Sequence, residues 1–506
     1  MKRPPAGQSA EDVRAAAKLL RSALAAHRAG RAAEAGALAR KVLRTRPQDA
    51  TANALLGVLA LAAGEARAAI PFLRRSLRAE PGNAKSWNNL GTALRQAAEP
   101  AAALKAFQRA QALSPDLGQV SYNIGLCLKE IDRPEDALAA FERAALLAPE
   151  FRAARHQIAE TLRALGRFDE ALAGNEAMLR DHPDYARAHY AYGLGLLLAG
   201  RFAEGWEEYE WRLRCDGPEN PGPGDPGLPL WEGEPLEGRR LLVRGEQGPG
   251  DQVMFAAMLP DAMRQSESVT LACDARLIPL LTRSWPDLRL VPRDEAASRS
   301  GDPGSEFDCQ IALGSLGRFF RRVPGDFPAR RSYLKPDPER VARLRARYAR
   351  RAGGRRLVGL SWKSWSLDSG ARRSLEPARL LNLLSQHDCL PVSLQYGPID
   401  AELEGLRDGG RREILRDEEI DPTADLDGLA AQIAALDLVI TVANTTAHLA
   451  GAVGAPTLLL LSAVTSWHWM IGRDDSPWYP SLRLIRQAAR GDWESVLARV
   501  AAELED

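Results

Sequence analysis

Five prolines recur at a fixed interval in the first part of the chain. They are Pro47, Pro81, Pro115, Pro149 and Pro183, each 34 residues after the one before. Proline accounts for only 33 of the 506 residues, so this phasing is not expected by chance. A period of this length is typical of a two-helix unit, which cannot bury its apolar face alone and therefore stacks on its neighbours. The pattern predicts a helical solenoid.

Other positions keep the same phase within each unit. One copy contains Trp87, Leu90, Gly91, Ala103, Phe107, Ala110 and Pro115, and the next contains Tyr122, Ile124, Gly125, Ala137, Phe141, Ala144 and Pro149. Small residues such as Gly91 and Ala103 are predicted where the two helices cross, with Phe107 filling the gap to the next unit. This pattern resembles the tetratricopeptide repeat. The resemblance implies about six units over residues 16–216, after a tail at 1–15.

Arrays of this kind bind polypeptides along a concave face formed by the first helix of each unit. Asn89, Asn123 and Gln157 occupy equivalent positions in three successive units. Their amides are candidates for a ladder that pairs with an extended peptide backbone, because each amide offers donors and an acceptor. Solvated polar positions on a helix face are the alternative.

The sequence changes character after the repeats. Residues 217–238 are dense in proline and glycine and are predicted to be a linker. Short apolar strands then alternate with helices, which indicates parallel sheets. A charged helical stretch near 338–352 divides these strands into two sets. The predicted fold class is α + α/β, with two Rossmann-like domains at 239–337 and 338–506 and ligands at the carboxyl ends of the strands.

Composition limits the partners and the location. Lys and Arg total 67 against 66 Asp and Glu, so no overall field favours nucleic acid. Five cysteines are dispersed without a CxxC motif, which argues against a metal cluster or a disulfide framework. The sequence contains no run of 18 apolar residues and no secretion signal at its start. We therefore expect a cytoplasmic protein with no membrane span.

Loops after the predicted strands contain the polar residues that suit ligand binding. Gly245–Asp251 is a glycine-rich turn in which Gly248 and Gly250 permit close approach of a ligand, with Asp251 at a helix start. Lys363 and Arg373 suit a diphosphate, and Gln395 offers an amide to a nucleobase. An N-cap is the alternative for Asp251, and surface charge for the basic residues.

The strongest candidate loop follows the apolar strand LDLVITV. It reads Ala443, Asn444, Thr445, Thr446, Ala447 and His448 and opens a short helix. Free backbone amides and two hydroxyls at such a helix start suit an anionic phosphate. His448 lies one turn further on, where it is a candidate to bind the same phosphate or a sugar. A satisfied structural histidine is the alternative.

Several segments together resemble heptosyltransferase-like glycosyltransferases of the GT-B fold. They are GEQGPGDQVMFAAMLPD, CDARLIPLLTRSWP, RRSLEP, VSLQYGP, NTTAHLAGAVGAP, SPWYPSLRLIRQ and GDW. Preceded by repeats, the whole pattern resembles bacterial proteins that include flagellin-modifying glycosyltransferases. The resemblance implies a protein glycosyltransferase that uses a nucleotide-activated sugar, with inversion and with no metal or other cofactor.

The resemblance also implies residue roles. Asp251 would be the general base, while the donor's phosphate and sugar would be held by Lys363, Arg373, Asn444, Thr445, Thr446 and His448. Trp467, Trp478 and Tyr479 would line a sugar or base pocket, with core packing as the alternative and the favoured one for Trp469. Heptosyltransferases generally have an Asp where this chain has Ala443. Two alternatives therefore stay open: a non-catalytic adaptor, and a transferase acting on a glycan or lipid-linked acceptor.

Overall fold

The computed structural model of the protein describes residues 10–217, 219–222, 224–293, 306–365, 370–408 and 414–505. The chain divides into two compact units, Met1–Asp181 and His182–Asp506. No helix in the described ranges is both long and apolar enough to span a membrane.

Paired helices make up the described part of the first unit. They are α1 (Ala10–Arg28), α2 (Ala32–Thr45), α3 (Ala50–Ala62), α4 (Ala66–Ala79), α5 (Ala84–Gln96), α6 (Pro100–Leu113), α7 (Gly118–Glu130), α8 (Pro134–Leu147), α9 (Arg152–Ala164) and α10 (Phe168–Asp181). From Ala50 to Arg152, the first helix of each hairpin begins 34 residues after its predecessor. The predicted solenoid of helical hairpins is confirmed.

Close packing of the two helices explains why a glycine recurs at the same position in successive hairpins. A Cβ atom added to Gly91 would lie 2.6 Å from the Phe107 ring, and one added to Gly125 would lie 2.5 Å from the Phe141 ring. Both rings are fully buried. Phe107 therefore packs on Gly91 of its own hairpin, and any larger residue at Gly91 would displace the ring.

The second unit begins with one more hairpin. We define the terminal hairpin as α11 (Ala186–Leu198), α12 (Phe202–Tyr209) and the 3₁₀ turn Glu210–Arg214 that follows them. Sequence periodicity grouped it with the repeats that end at residue 216, whereas the structure includes it in the second compact unit. Trp206 and Tyr209 are fully buried in the core of this unit.

Two parallel sheets form the rest of the second unit. The first has the order β3-β2-β1-β4 and the second β6-β5-β7-β8-β9. The strands are β1 (Arg240–Arg244), β2 (Ser268–Cys273), β3 (Arg289–Pro292), β4 (Cys309–Ala312), β5 (Arg356–Ser361), β6 (Cys389–Ser393), β7 (Leu438–Val442), β8 (Thr457–Leu461) and β9 (Leu482–Arg486). The sequence predicted the first eight strands and missed β9. Both sheets belong to one compact unit.

Helices connect and cover these strands. They are α13 (Pro249–Ala256), α14 (Leu259–Gln265), α15 (Ile278–Ser284), α16 (Gly317–Phe320), α17 (Pro338–Ala352), α18 (Gly370–Arg373), α19 (Pro377–Leu384), α20 (Asp400–Asp408), α21 (Leu426–Ala434), α22 (Thr445–Val453) and α23 (Trp493–Glu505). The charged helix predicted near 338–352 is confirmed as α17. The single helix predicted near 251–265 is instead α13 and α14, with Pro260 in the first turn of α14.

The predicted linker packs against the first sheet. Gln310 of β4 donates hydrogen bonds from its side chain to the carbonyl oxygens of Asp225 and Leu228, and its own carbonyl accepts one from Trp231 N at 2.8 Å. The side chains of Trp231 and Leu236 are buried. Apolar residues scattered among the prolines and glycines therefore fix this segment to the sheet.

Candidate functional site

Two helix N-termini meet at the carboxyl ends of the strands. Helix α13 follows the glycine-rich loop after β1, and α22 follows the loop after β7. A Cβ atom built on Gly250 would lie 3.0 Å from His448 Cδ2 and 3.5 Å from Thr445 Oγ1. The lack of a side chain at Gly250 allows this approach, so the loop with Asp251 and the start of α22 are neighbours.

Asp251 lies in the first turn of α13 and is partly exposed. Its Oδ2 accepts a hydrogen bond from Gly248 N at 3.2 Å. Burial raises the pKa of Asp251 to about 6; the charge of Glu246 also raises it, while the bond from Gly248 and the charge of Arg373 lower it. No ion pair engages Asp251 within the described residues. Its carboxyl group can therefore exchange a proton near neutral pH.

His448 is buried beside this carboxylate loop. Its Nδ1 lies 2.9 Å from the hydroxyl oxygen of Tyr479. Burial, with help from the positive charge of Arg373, lowers the pKa of His448 to about 3. His468 lies close by, with ring centroids 5.0 Å apart, and burial also lowers its pKa. Both imidazoles are therefore neutral at physiological pH and can act only as dipolar groups.

Asn444 is the N-cap of α22. Its Oδ1 accepts hydrogen bonds from Thr446 N at 3.0 Å and Ala447 N at 3.4 Å. Its Nδ2 donates to Ser361 Oγ at 2.8 Å and to the Lys363 carbonyl at 3.1 Å. The expectation that these backbone amides are free was wrong for Thr446 and Ala447, because the Asn444 side chain satisfies both.

Gln395 fixes a loop and does not present its amide to a ligand. Its Oε1 accepts from the backbone amides of Trp362 and Lys363, both at 2.8 Å, and its Nε2 donates to the carbonyls of Lys363 and Tyr396. The side chain is buried. The predicted nucleobase contact is therefore wrong, since every polar atom of the amide is bonded to the chain. Lys363 extends from this fixed loop, with Nζ 4.7 Å from the centre of the Trp365 ring.

Arg373 joins the cluster from α18. Its Nη2 donates to Ser466 Oγ at 2.6 Å, and its charge lowers the pKa of both Asp251 and His448. The structure thus brings Arg373 close to the two N-termini. Thr445 is half-buried at the same place, while Thr446 Oγ1 is buried without a hydrogen-bond partner among the described residues.

Most of the predicted aromatic pocket is protein core. Trp478 and Tyr479 are buried, with 5% and 1% of their surfaces exposed. Trp478 packs edge-on against Phe327, with ring centroids 4.9 Å apart, and Tyr479 lies over Gly451. Neither ring is available to a sugar. Trp467 is half-buried and packs against Trp206, at 5.4 Å between centroids.

The predicted amide ladder in the repeats is engaged with neighbouring side chains. Asn123 Nδ2 donates to Asn88 Oδ1 at 3.1 Å, and Lys129 Nζ donates to Gln157 Oε1 at 2.7 Å. Asn89 is half-buried on α5. In this structure the contacts run between successive repeats, so a peptide would have to compete with them.

Sequence reasoning missed the residues that hold the Asp251 loop. Arg212, in the terminal hairpin, forms a buried ion pair with Glu246, and Tyr209 accepts a hydrogen bond from Gln247 Nε2 at 2.7 Å. Glu246 stands within the loop that the sequence singled out. Nothing in the repeat pattern marks Arg212, because partners distant in sequence leave no periodic signal.

A cavity of about 660 Å³ adjoins this loop. Its walls come from α11, the segment after the terminal hairpin, the glycine-rich loop and the end of β3; they include Tyr190, Glu219, Asn220, Gly248 and Arg293. Gly248 lines the cavity and its amide donates to the Asp251 carboxylate, so the cavity adjoins the loop that holds the candidate base. Among the described residues, no three His, Cys, Asp or Glu side chains are grouped to bind a metal.

Family comparisons identify the repeats. Two tetratricopeptide repeat models match the chain, one over residues 26–92 and the other over 88–155 and 156–210. The N-terminal part is therefore a tetratricopeptide-repeat scaffold, of the type that mediates protein interactions.

A curated relative extends beyond these repeats. Protein FlbA of Caulobacter vibrioides is 38% identical over 315 residues, which are 60% of this chain and 52% of FlbA. This alignment is longer than the repeat-matched stretch, so it includes other parts of the chain. The chain spans about half the length of this relative.

Solved structures resemble part of the chain. MamA is 24% identical and covers 34% of this chain and 94% of its own, with a TM-score of 0.32. PilF of Pseudomonas aeruginosa is 21% identical and covers 40% of this chain and 91% of its own, with a TM-score of 0.35. YrrB, described as a repeat protein with an unusual peptide-binding site, is 22% identical. It covers 35% of this chain and 91% of its own, with a TM-score of 0.31.

Proposed function

We propose that this protein transfers a sugar from a nucleotide-activated donor to a hydroxyl group of a polypeptide held by the repeats. The two sheets would act as the paired Rossmann-like domains of a GT-B glycosyltransferase. The contact of Gly250 with Thr445 and His448 is the observation that supports this most directly. It brings a carboxylate that titrates near neutrality to a helix N-terminus with an arginine beside it.

Asp251 acts as the general base in the proposed reaction. It takes the proton of the acceptor hydroxyl while that oxygen forms a bond to the anomeric carbon of the sugar. The bond from this carbon to the phosphate oxygen breaks, and its electron pair leaves with the phosphate of the nucleotide. Attack opposite to the leaving group inverts the anomeric centre. A pKa of about 6 leaves Asp251 mostly ionised at neutral pH and still basic enough to accept the proton.

The leaving phosphate is stabilised by positive charge and by the dipole of α22. Arg373 and Lys363 supply the charges, and Thr445 supplies a half-buried hydroxyl at the helix start. Buried, neutral His448 contributes a dipole without adding charge. The proposed chemistry calls on no metal ion, because these groups offset the charge that develops.

The acceptor approaches from the cavity bordered by Tyr190 and Gly248. A volume of about 660 Å³ can admit a short extended segment with one side chain. The repeats supply affinity for the rest of the polypeptide. On the resemblance stated above, flagellin or another surface protein is the acceptor to test first.

Co-expression with a flagellin tests this function. The intact mass of the flagellin should rise by a sugar residue with the wild-type chain and stay unmodified with Asp251→Asn. Asp287→Asn is the matched control, because it makes the same chemical change at an exposed position before β3 and should preserve transfer. Transfer by Asp251→Asn at the wild-type level would exclude Asp251 as the base. Modification of glycans or lipids in place of protein would favour the other acceptor class.

A non-catalytic adaptor is the second candidate, and one observation favours it. Asn444 occupies the Thr446 and Ala447 amides that a phosphate could otherwise bind. UDP-, GDP-, ADP- and CMP-sugars should each be tested for thermal stabilisation of the full chain. We expect one class to raise the melting temperature of the wild type and to raise it less in Arg373→Gln. If no class stabilises the wild type, the adaptor is the better interpretation.

A further inference from the structure

The ion pair between Arg212 and Glu246 connects the terminal hairpin to the glycine-rich loop. Arg212 donates from Nε to Glu246 Oε2 at 2.9 Å and from Nη2 to Oε1 at 2.8 Å. Both side chains are buried, so water does not screen the pair. Additional bonds complete the arrangement, from Arg212 to Ser315 Oγ at 2.8 Å and from Gly314 N to Glu246 Oε1 at 2.5 Å. The two parallel hydrogen bonds from the Arg212 guanidinium fix the orientation of the Glu246 carboxylate as well as its position.

The next residue of the loop is held by the same hairpin. Gln247 has a φ of +57°, in the left-handed region that non-glycine residues seldom adopt. Its Nε2 donates to the Tyr209 hydroxyl at 2.7 Å, and the Tyr209 ring lies 4.3 Å from the Arg212 guanidinium. Two adjacent residues are therefore fixed just before Gly248, whose amide binds the Asp251 carboxylate.

The terminal hairpin also contacts the loop after β8. Trp206 packs edge-on against Trp467 at 5.4 Å between ring centroids. Ile471 N donates to the Leu198 carbonyl at 3.3 Å. This loop contains Ser466, which accepts the hydrogen bond from Arg373. One hairpin thus touches the segment that positions the candidate base and the segment that positions the candidate phosphate ligand.

We propose that the terminal hairpin is a clamp that sets the geometry between Asp251 and Arg373, with Arg212 as the positioning residue for the Asp251 loop. This inference rests on the proposed function. Arg212 touches no reacting atom. It acts through Glu246 by keeping loop 245–251 in the conformation that places Gly250 against the start of α22 and bonds the Gly248 amide to Asp251. The clamp comes from a repeat-like hairpin, so the scaffold supplies part of the site itself.

Arg212→Lys in the full chain tests the clamp. Lysine keeps the positive charge but cannot donate two parallel bonds to Glu246. Arg214→Lys is the matched control, since Arg214 lies in the same 3₁₀ turn, is exposed and stacks on Trp211 at 4.4 Å. Hydrogen exchange in peptides covering 245–251 and 313–316 should accelerate at least tenfold in Arg212→Lys. It should be unchanged in Arg214→Lys, and helices α17 and α23 should stay protected in both variants.

Transfer kinetics separate positioning from general stability. With a flagellin acceptor and whichever sugar nucleotide of the panel stabilises the protein, kcat should fall 10- to 100-fold in Arg212→Lys. The KM for the donor should stay within twofold, because the donor ligands come from the second sheet. Unchanged exchange at 245–251, or faster exchange with unchanged kcat, would overturn the clamp. Absence of transfer by the wild type would instead reject the glycosyltransferase function, and exchange would still decide whether Arg212 holds the loop.

Discussion

At the scale of single residues, the environment of Asp251 makes ionisation costly for the fold. Burial raises its pKa from 3.8 to about 6, so the folded state holds the proton more tightly than the unfolded chain does. The stabilising effect of protonation is fully present below pH 4 and is lost as the pH rises through 6. At 1.36 kcal/mol per pH unit the upper bound is about 3 kcal/mol, which partial exposure reduces to about 1–2 kcal/mol.

Asp251→Asn should therefore stabilise the protein above pH 6 while abolishing transfer. The amide keeps an oxygen that can accept the Gly248 bond and carries no charge to desolvate. Thermal unfolding measured from pH 4 to 8 should show the variant more stable by about 1–2 kcal/mol at pH 7.5, with the difference vanishing near pH 4. A variant less stable than the wild type at pH 7.5 would contradict the cost assigned to the charge.

Repeat turns supply a second residue-scale prediction. Gly64 has a φ of +78° with open space around its Cβ position, whereas Gly82 has equally open space and a backbone outside the left-handed region. Gly64→Ala should cost about 1 kcal/mol from backbone strain alone. Gly82→Ala should be neutral or stabilise by up to about 1 kcal/mol. Chemical denaturation of the two variants checks the difference, and equal effects would show that strain does not govern these turns.

Residue types could be predicted better than their surroundings. Alternation of strands and helices predicts that Asp251, Arg373 and Thr445 lie in loops at the carboxyl ends of strands. Asp251 follows a strand of the first sheet, and the other two follow strands of the second, so their proximity depends on how the two sheets meet and is seen only in the structure. Trp478 and Gln395 were misassigned because the sequence does not tell which way a side chain points. A tryptophan or a glutamine occurs both in binding pockets and in buried cores, so the residue type alone does not tell the two apart.

At the scale of elements, the start of α22 depends on an amide side chain. Asn444 accepts two backbone bonds as the cap and donates to Ser361 and the Lys363 carbonyl. Aspartate caps helices as well as asparagine does, but it cannot donate. The particular choice of Asn444 is therefore explained by the neighbouring strand β5 as much as by the helix.

Asn444→Asp should destabilise the second unit by about 1–3 kcal/mol, because the Lys363 carbonyl would face a carboxylate in place of a donor. Asn83→Asp is the control at the cap of α5, where the side chain accepts from Ser86 N and donates only to the exposed Glu80 carboxylate at 3.4 Å. Because this donor contact lies in solvent, the change should alter stability by less than about 0.5 kcal/mol. Calorimetry of both variants measures the difference. If they are equally stable, the bond to Lys363 contributes nothing.

Periodicity predicted the elements that repeat and missed those defined by packing. The helices of the first unit follow the 34-residue phase, since each unit makes the same contacts as its neighbours. Strand β9 was missed although LRLIR is no shorter than β3, an edge strand that the sequence did predict. The terminal hairpin kept the repeat phase while its buried face met a different partner, so its sequence concealed its role.

At the scale of the whole molecule, the boundary between the compact units falls at residues 181 and 182. The repeat pattern suggests cutting at 216, which would remove the terminal hairpin from the second unit. Such a cut removes Arg212 from Glu246, and a carboxylate that stays buried without its partner costs about 3–5 kcal/mol. The cut also exposes the core that Trp206 fills, and loss of a buried tryptophan side chain lowers the free energy of unfolding by about 3–5 kcal/mol more.

Residues 182–506 should therefore fold as an independent unit, and residues 217–506 should not. The free energy of unfolding that is lost when residues 182–216 are removed approaches the whole stability of a typical domain, about 5–15 kcal/mol. Solubility, near-ultraviolet circular dichroism and a cooperative melting transition should distinguish the two fragments. Fragment 1–181 is the matching control, because stacked repeats that contact only their neighbours tolerate loss of a terminal unit. Equal melting temperatures for 182–506 and 217–506 would show that the hairpin is a repeat and nothing more, and the clamp would lose its structural basis.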